Sequence, residues 1–349
     1  MPRICGVTAR VPPHEVEQLN LRRRVAERLA SDPELVARAA TLFDDAGIER
    51  RYFMLPIDQL EQAGENRACD EASHDLLAAA FEPICRRAVS LGLSPTTVFC
   101  SGVRASEMQS LVVSHGDTWR LPAGLNLITV ESSPAIGGVA AVGAAYHYLA
   151  AHPDRSAMVV ALSAISPLLF PGDDIASGLP ALALMSDGVG VTLLAGDWAG
   201  HREHTDLEVM AAQSTLPADS FGRDHRQPAL EYARLALDPH AAAKAAESLS
   251  DEIVVFLQQH HLSRDRVSNL IVQPNSRLFL EAFERWMKLP ASALSASRAV
   301  LQKRGNLGPA GATFVLMECC NTLPGRGDEY AVMAAAGGDG ATEAVLLRS

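Results

Sequence analysis

Residues 136–150 constrain the fold of this chain most, because almost every one of them is small or apolar. A helix that is apolar on all sides has no face for water and is expected in the interior. Glycines at positions 137, 138 and 143 would let other backbone segments approach it closely. Apolar runs at residues 125–130 and 158–162 flank this segment and are typical of buried strands. The sequence thus predicts an α/β protein with a central buried helix.

Strands and helices alternate along the rest of the chain. Asp32 is a suitable cap ahead of Pro33, apolar residues then recur at helical spacing, and Gly47 ends that helix. A second helical pattern contains Pro83, which is expected to kink or interrupt it. Further strands are predicted at residues 97–100, 207–211, 270–273, 330–334 and 343–347, and further helices at 239–260, around 278–283 and ending near 318.

A weak internal repeat suggests that the chain has two similar halves. Asp187-Gly188 leads into the apolar residues 189–194, and Asp339-Gly340 leads into residues 341–347. Asp-Gly turns are common, so the repeat alone is a weak signal. With 349 residues the chain is long enough for two units, and we predict halves at residues 1–197 and 198–349.

Composition and charge argue against several classes of function. The net charge of −11 argues against nucleic acid and against an anionic surface as partners. No apolar run has the length of a membrane span, so no membrane association is predicted. The first residues lack a signal-peptide pattern, which predicts a cytoplasmic protein. The six cysteines form no CxxC pair and no metal-ligand spacing, so reduced thiols and no metal site are predicted.

Several short segments, taken in order, resemble the type III polyketide synthase (chalcone synthase-like) family. They cover nearly the whole chain, and their order matters more than any single match. The segments are GIERRY at residues 47–52, SGV at 101–103, ALALMSDG at 181–188, AQSTLPADS at 212–220, Gly305-Asn306 before an apolar helix, and GGDG at 337–340.

This resemblance implies a fold class and a chemistry. The fold is α/β, a thiolase-like αβαβα arrangement made of two similar halves, and members form dimers. They condense acyl-CoA starters with malonyl-CoA through a cysteine thiolate, assisted by a histidine and an asparagine. The family needs no separate cofactor, and acyl-CoA or malonyl-CoA would be substrates.

The resemblance gives an incomplete catalytic set when it is carried over residue by residue. Ala135 falls on the nucleophile's position and Gln273 on that of the histidine, whereas Asn306 matches the asparagine. A methyl group cannot form a thioester. A carboxamide keeps hydrogen-bond donors but does not titrate near neutral pH. No cysteine lies between Cys100 and Cys319 that could replace the missing one.

The resemblance also implies pocket and CoA-binding positions. The family's CoA-binding cations would fall on Arg38, Thr41 and Asp45, so one cation is kept, weakly indicating CoA binding, and one is reversed. A negative charge at Asp45 would repel phosphate groups. A family methionine that reaches into the partner's pocket corresponds to Ala105. The substrate pocket would be lined by Met185, Tyr232, Leu169 and Gly308.

Two alternatives remain open for the site residues. If the alignment is shifted by two positions, Ser133 or Ser132 would lie at the helix start and could act as a nucleophile. A serine needs a base, however, and no histidine occupies the matching strand end. Asn306 could be kept for its turn geometry as readily as for catalysis.

Two functions fit these observations. In the first, the chain is a non-condensing subunit that forms a homodimer or pairs with a cysteine-bearing ketosynthase homologue. In the second, it is a stand-alone acyltransferase or malonyl-thioester decarboxylase, in which Gln273 and Asn306 stabilise an enolate without a covalent intermediate. An acyl thioester is the ligand expected in either case. The loss of CoA-binding cations favours the first function.

Overall fold

The computed structural model describes residues 1–62, 67–102, 124–169, 175–203, 206–216, 228–320 and 329–349. The strands are β1 (Arg3–Arg10), β2 (His14–Glu17), β3 (Arg50–Phe53), β4 (Thr97–Gly102), β5 (Asn126–Thr129), β6 (Ser156–Ser163), β7 (Gly188–Ala195), β8 (Leu207–Thr215), β9 (Val267–Val272), β10 (Tyr330–Ala336) and β11 (Thr342–Arg348). The helices are α1 (Gln18–Arg28), α2 (Pro33–Ala46), α3 (Ile57–Gln62), α4 (Arg67–Ser90), α5 (Gly137–Ala151), α6 (Ile175–Leu184), α7 (Pro228–Ala236), α8 (Pro239–Gln259), α9 (Arg277–Met287), α10 (Ser295–Arg304) and α11 (Gly311–Cys320).

Within these ranges, nine strands hydrogen-bond in the order β5-β4-β6-β7-β1-β8-β11-β10-β9, and β2 pairs with β3 separately. The pairs β4·β6, β6·β7 and β7·β1 are parallel, antiparallel and antiparallel. The pairs β9·β10, β10·β11 and β11·β8 repeat this sequence of directions. The two Asp-Gly turns of the sequence therefore precede equivalent strands, β7 and β11. The predicted division at residue 197 falls between β7 and β8.

Two apolar helices lie between the two groups of strands. α5 packs on β4 and β6 of its own half and on β8 and β11 of the other. α11 packs on β9 and β10 and reaches β1 and β7. α4 packs on β1 and β7, and α8 packs on β10 and β11. The layers thus alternate as α, β, α, β, α, which confirms the thiolase-like fold expected from the sequence.

The central helix α5 is buried, as its composition predicts. Its residues include Val139, Val142 and Leu149, each with no exposed surface. A Cβ at Gly138 would collide with the carbonyl oxygen of Pro309, just before α11. The absence of a side chain at Gly138 therefore lets the two central helices approach each other at their amino ends.

Local signals set the ends of α2, and tertiary packing overrides one in α4. Asp32 Oδ1 accepts hydrogen bonds from the first-turn amides of α2, and Gly47 ends that helix at a φ of 68°, which confirms both predicted caps. Pro83 was expected to kink or interrupt its helix; it does not interrupt it, because α4 runs from Arg67 to Ser90 across it, and the kink stays a prediction. The buried Phe81 and Ile84 hold this part of the helix against the strands.

A buried arginine fastens the connection between the two halves to β1. Arg3 is 1% exposed, and its Nε lies 2.9 Å from Asp206 Oδ2. Its Nη1 donates to the carbonyl of Gly196 at 2.7 Å, and its Nη2 donates to that of Ala199 at 2.5 Å. The segment from β7 to β8 is therefore held from inside the protein by a fully bonded guanidinium. No helix in the described ranges is long and apolar enough to span a lipid bilayer.

Candidate active site

The first turn of α5 holds the position expected for a nucleophile. Ala135 is 1% exposed and lies in a turn in which Ile136 N and Gly137 N donate to Ser133 O at 3.0 and 3.1 Å. Ser132 Oγ lies close to Gly137 at the start of the helix. Ser133 Oγ lies beside Gly337, which follows β10. The buried group at the helix start is thus a methyl, with serine hydroxyls next to it in the chain.

Gln273 and Asn306 converge on a single turn. Gln273 directly follows β9, and its Nε2 donates to Gly308 O at 2.8 Å. Asn306 Oδ1 accepts from Gly308 N at 2.8 Å. Both side chains are fully buried, and Gly308 adopts a φ of 48°. These two amides, taken from separate places in the sequence, therefore fix the turn that begins α11 from both sides.

Tyr232 and Asn275 complete a buried hydrogen-bonded cluster. Asn306 Nδ2 donates to Tyr232 Oη and to Asn275 O, each at 2.6 Å. Tyr232 Oη donates in turn to Asn275 Oδ1 at 3.1 Å, and Asn275 Nδ2 donates to Ala336 O at 2.7 Å. Burial raises the pKa of Tyr232, which keeps its hydroxyl neutral. We refer to Gln273, Asn275, Asn306 and Tyr232 as the amide cluster.

The turn from Gly308 to Gly311 connects the amide cluster with the start of α5. Gly311 passes so close to Gln273 that a Cβ there would lie 2.5 Å from Oε1. Pro309 O faces Gly138 in the first turn of α5. The structure thus links the helix that follows Ala135 to Gln273 and Asn306 through one backbone segment, which lies against β4 and β6.

Three of the four expected pocket residues, Tyr232, Gly308 and Met185, lie at or beside the amide cluster. Met185 is buried, and its methyl would lie 3.7 Å from a Cβ at Gly308. The neighbouring Leu184 O accepts from Asn306 N at 3.0 Å. Leu169 is buried after the turn at Ser166–Leu168, and Arg38 is exposed on α2, beside a cavity of about 610 Å³. Ala105 and residues 217–220 lie outside the described residues.

Comparison with known proteins shows what this chain is similar to. No family model matches the sequence. The chain is 26% identical to 1,3,6,8-tetrahydroxynaphthalene synthase of Streptomyces peucetius subsp. caesius, over 99% of this chain and 92% of the relative. Its sequence is thus similar over nearly its whole length to that of a type III polyketide synthase. The fold agrees: the tetrahydroxynaphthalene synthase structure from Streptomyces coelicolor matches with a TM-score of 0.80 at 18% identity, covering 99% and 98% of the two chains. Germicidin synthase from the same organism matches with a TM-score of 0.79 at 20% identity, with the same coverage.

The acidic residue that the resemblance places at a CoA-binding position, Asp45, has a protein partner. Arg277 Nη2 lies 3.1 Å from Asp45 Oδ1, across the gap between α2 and α9. Arg277 packs on Gly47, where a Cβ would lie 2.8 Å from that of Arg277. Asp45 therefore contributes to an ion pair with Arg277, which begins α9 four residues after Gln273.

Two ionisable groups near the amide cluster, Asp187 and Arg51, are buried, which was not predicted from the sequence. Asp187 accepts from the amides of Met54, Ile165 and Ser166 at 2.8, 2.6 and 3.0 Å, and from the Ser166 hydroxyl. Burial raises its pKa to about 6. Arg51 Nη1 donates to Met185 O at 3.0 Å. Its guanidinium lies 5.8 and 5.4 Å from the ring centres of Phe43 and Phe53, and burial lowers its pKa to about 9.

Five of the six cysteines are held as unactivated thiols by their surroundings. Burial raises the pKa of Cys5 and Cys100 to about 12, and that of Cys85, Cys319 and Cys320 to about 11. At neutral pH these five sulfurs are thiols, and the thiolate is the nucleophilic form. Among the described residues, no group of three or more histidine, cysteine, aspartate or glutamate side chains is arranged to hold a metal ion.

Proposed function

We propose that this chain is a non-condensing type III polyketide synthase subunit that acts together with a cysteine-bearing homologue. Its fold and its sequence similarity to a type III polyketide synthase support a role in polyketide metabolism. Three features of the site support a role in which this chain does not itself form the acyl-enzyme: the group at the start of α5, the bonding of the amide cluster, and the pairing of Asp45.

The group at the start of α5 supports the proposal chemically. A condensing enzyme of this family transfers the acyl chain to a thiolate, and Ala135 presents only a methyl. The neighbouring Ser133 would need a base to act as a nucleophile, and Gln273, at the end of β9, is a neutral amide. Neither route to a covalent intermediate is supported by the described side chains.

The bonding of the amide cluster carries the argument against the stand-alone alternative. To stabilise an enolate, Asn306 and Gln273 would have to direct N–H groups at the substrate oxygen. Both hydrogens of Asn306 Nδ2 are already donated to protein acceptors, Tyr232 Oη and Asn275 O. One hydrogen of Gln273 Nε2 is donated to Gly308 O, whereas Gln273 Oε1 is buried without a hydrogen-bond partner among the described residues. Releasing these donors would leave buried acceptors without partners, at a cost of about 1–3 kcal/mol each.

The pairing of Asp45 adds an electrostatic reason. Arg277 and Asp45 neutralise each other across α2 and α9, so this position offers no net positive charge to a phosphate. Arg38 remains an exposed cation on α2, but the neighbouring surface carries the acidic Asp32 and Glu34. CoA phosphates would therefore be held weakly here.

The proposal is tested by reconstitution with a cysteine-bearing type III polyketide synthase from the same genome. The two chains are co-expressed, and native mass spectrometry counts mixed dimers while product formation from acyl-CoA and malonyl-CoA is measured. We expect mixed dimers, and a change in product profile or rate relative to the homologue alone. The matched control is a homologue in which the catalytic cysteine is changed to alanine, which should leave the mixed dimer intact but silent.

Two results would overturn this function. Turnover or CO₂ release by this chain alone would support the stand-alone enzyme instead. Separate homodimers, with a product profile identical to that of the homologue alone, would remove the partner role. The variant Asp45→Lys adds a check on the electrostatic argument, because it should strengthen CoA binding measured by calorimetry.

A further inference from the structure

A cavity separate from the amide cluster lies at the other end of the strands that lead to that cluster. β4, β5 and β6 run parallel, so their first residues, Thr97, Asn126 and Ser156, lie at one edge of the sheet. Ser163, the last residue of β6, lies beside Gly308 at the other edge. With a rise of about 3.3 Å per residue, a strand of six to eight residues separates the two edges by roughly 20 Å. The cavity at the amino-terminal edge encloses about 650 Å³.

The rim of this cavity carries a conspicuously exposed aromatic side chain. Trp198 is 76% exposed, more than any other large hydrophobic residue in the described ranges. A single exposed apolar residue is ordinary by itself, but an indole at the rim of a concave polar surface provides a flat face on which a ligand ring can stack. The only other described tryptophan, Trp286, is 50% exposed on α9 and does not line this cavity.

The turn that carries Trp198 is held rigidly, which distinguishes it from an ordinary surface loop. Trp198 N donates to Pro153 O, and Gly196 N donates to Arg155 O, each at 2.8 Å. The buried guanidinium of Arg3 binds the carbonyls of Gly196 and Ala199 from inside. The indole is thus presented outward by a backbone that is fixed on both sides, so that ordering it on binding costs little entropy.

Polar groups around the cavity are available to a ligand. Within the part of the chain described by the structure, the side chains of Ser94, Asn126 and Asp154 make no hydrogen bond to protein. Arg155 donates from Nη1 to Tyr148 Oη at 2.9 Å, which orients its guanidinium at the cavity wall. Asp154 and Arg155 carry opposite charges, so the wall offers both hydrogen-bond donors and acceptors with little net charge.

We propose that this cavity binds a ring bearing several hydroxyl groups, with one face of the ring stacked on Trp198. The indole face suits either an aromatic ring or the C–H face of a sugar. Asp154 accepts from ligand hydroxyls, and the Asn126 amide both donates and accepts. Neither a strongly charged ligand nor a purely apolar one fits this set of partners. Polyphenols and sugars share the required chemistry, and experiment distinguishes them.

The test is a fluorescence titration of the full-length protein, excited at a wavelength that selects tryptophan. The probes are resorcinol for the phenolic class and methyl β-glucoside for the sugar class. We expect a saturable change in emission with at least one probe. Trp198→Ala should abolish it, and Asn126→Ala should weaken the affinity by about threefold to tenfold, the loss of one or two hydrogen bonds. Trp286→Phe is the matched control and should leave the affinity unchanged.

Three outcomes would overturn the site. The first is a signal that rises linearly with probe and never saturates, as in collisional quenching. The second is saturation that survives Trp198→Ala. The third is a saturable signal that is lost in Trp286→Phe but kept in Trp198→Phe, because the signal would then come from Trp286 and not from Trp198. Because Trp198 is mostly exposed, its variants are expected to fold, and the thermal unfolding of each variant checks this.

Discussion

The two ends of the strands differ in how their polar side chains are bonded. At the carboxyl end of β6 and β9, called the closed end below, the polar side chains bond to protein groups. At the amino end of β4, β5 and β6, called the open end below, polar side chains face a cavity. Asn306 and Tyr232 are buried and hydrogen-bonded to protein groups. Asn126 and Trp198 are exposed and have no side-chain partner within the described ranges. The first arrangement resembles the interior of a folded core, and the second resembles a binding surface. The side chains expected at the catalytic position thus bond to protein groups, and the accessible polar side chains lie at the other end.

The largest loss of stability is expected when Arg3, which holds the turn that carries Trp198 at the open end, is removed. Arg3→Ala leaves Asp206 buried without its partner and frees the turn that presents Trp198. Breaking a buried ion pair from one side costs about 3–5 kcal/mol, and we expect that loss in the free energy of unfolding, measured with urea. Arg202→Ala is the control, because that exposed arginine pairs with Asp197 and Glu208 and should cost about 1 kcal/mol or less. Equal losses would refute the anchoring role of Arg3.

The closed end is expected to make stability depend on pH through Asp187. Because burial raises its pKa to about 6 in the folded chain, the folded state favours the protonated form. Its stabilising contribution is complete below about pH 4 and declines as the pH rises through 6. Between pH 4 and 7 the wild type should lose about 3 kcal/mol more than Asp187→Asn, since two pKa units correspond to about that energy. The control Asp251→Asn, at an exposed position, should follow the wild type; parallel curves for Asp187→Asn would contradict this account.

A smaller effect tests whether the amide cluster is structural. Tyr232→Phe removes one hydroxyl, leaving an N–H of Asn306 and the oxygen of Asn275 without a partner. We expect a loss of about 1–3 kcal/mol in unfolding free energy. Tyr146→Phe is the matched control, because that half-buried hydroxyl donates only to Met210 O at 3.1 Å. A loss for Tyr232→Phe no greater than that of the control would mean that the cluster is not tightly bonded.

The smallest effect on stability is expected at the open end. Trp198→Ala removes a mostly exposed side chain, so the free energy of unfolding should change by no more than about 0.5 kcal/mol. Circular dichroism during thermal unfolding measures this. A much larger loss would show that the indole packs on the protein and would remove the contrast between the two ends.

Much of the fold was predictable because its signals are local. The apolar stretch of α5, the caps Asp32 and Gly47, and the two Asp-Gly turns each act within a few residues. The meeting of Gln273 with Asn306 followed from the family resemblance, since no local pattern relates residues so far apart in the chain.

The features that sequence reasoning missed depend on distant partners. β1 was not predicted, because Arg3 is an unlikely core residue until Asp206, 203 positions away, is seen beside it. Asn275 could not be assigned to the cluster before Asn306 and Tyr232 were placed next to it. Trp198 lies in a segment that has the composition of a surface turn, and its rigid support is visible only in three dimensions. Pro83 does not interrupt α4, because the packing of this helix on β1 and β7 outweighs one missing hydrogen bond.

The most direct measurement is the intact mass of the purified chain after incubation with an acyl-CoA starter and malonyl-CoA. If Ala135 stands at the nucleophile's position, as we propose, and the five thiols with raised pKa are protonated at neutral pH, the mass should remain that of the unmodified protein. An added acyl group that maps by peptide analysis to the region of Ser132, Ser133 or a buried cysteine would contradict the account.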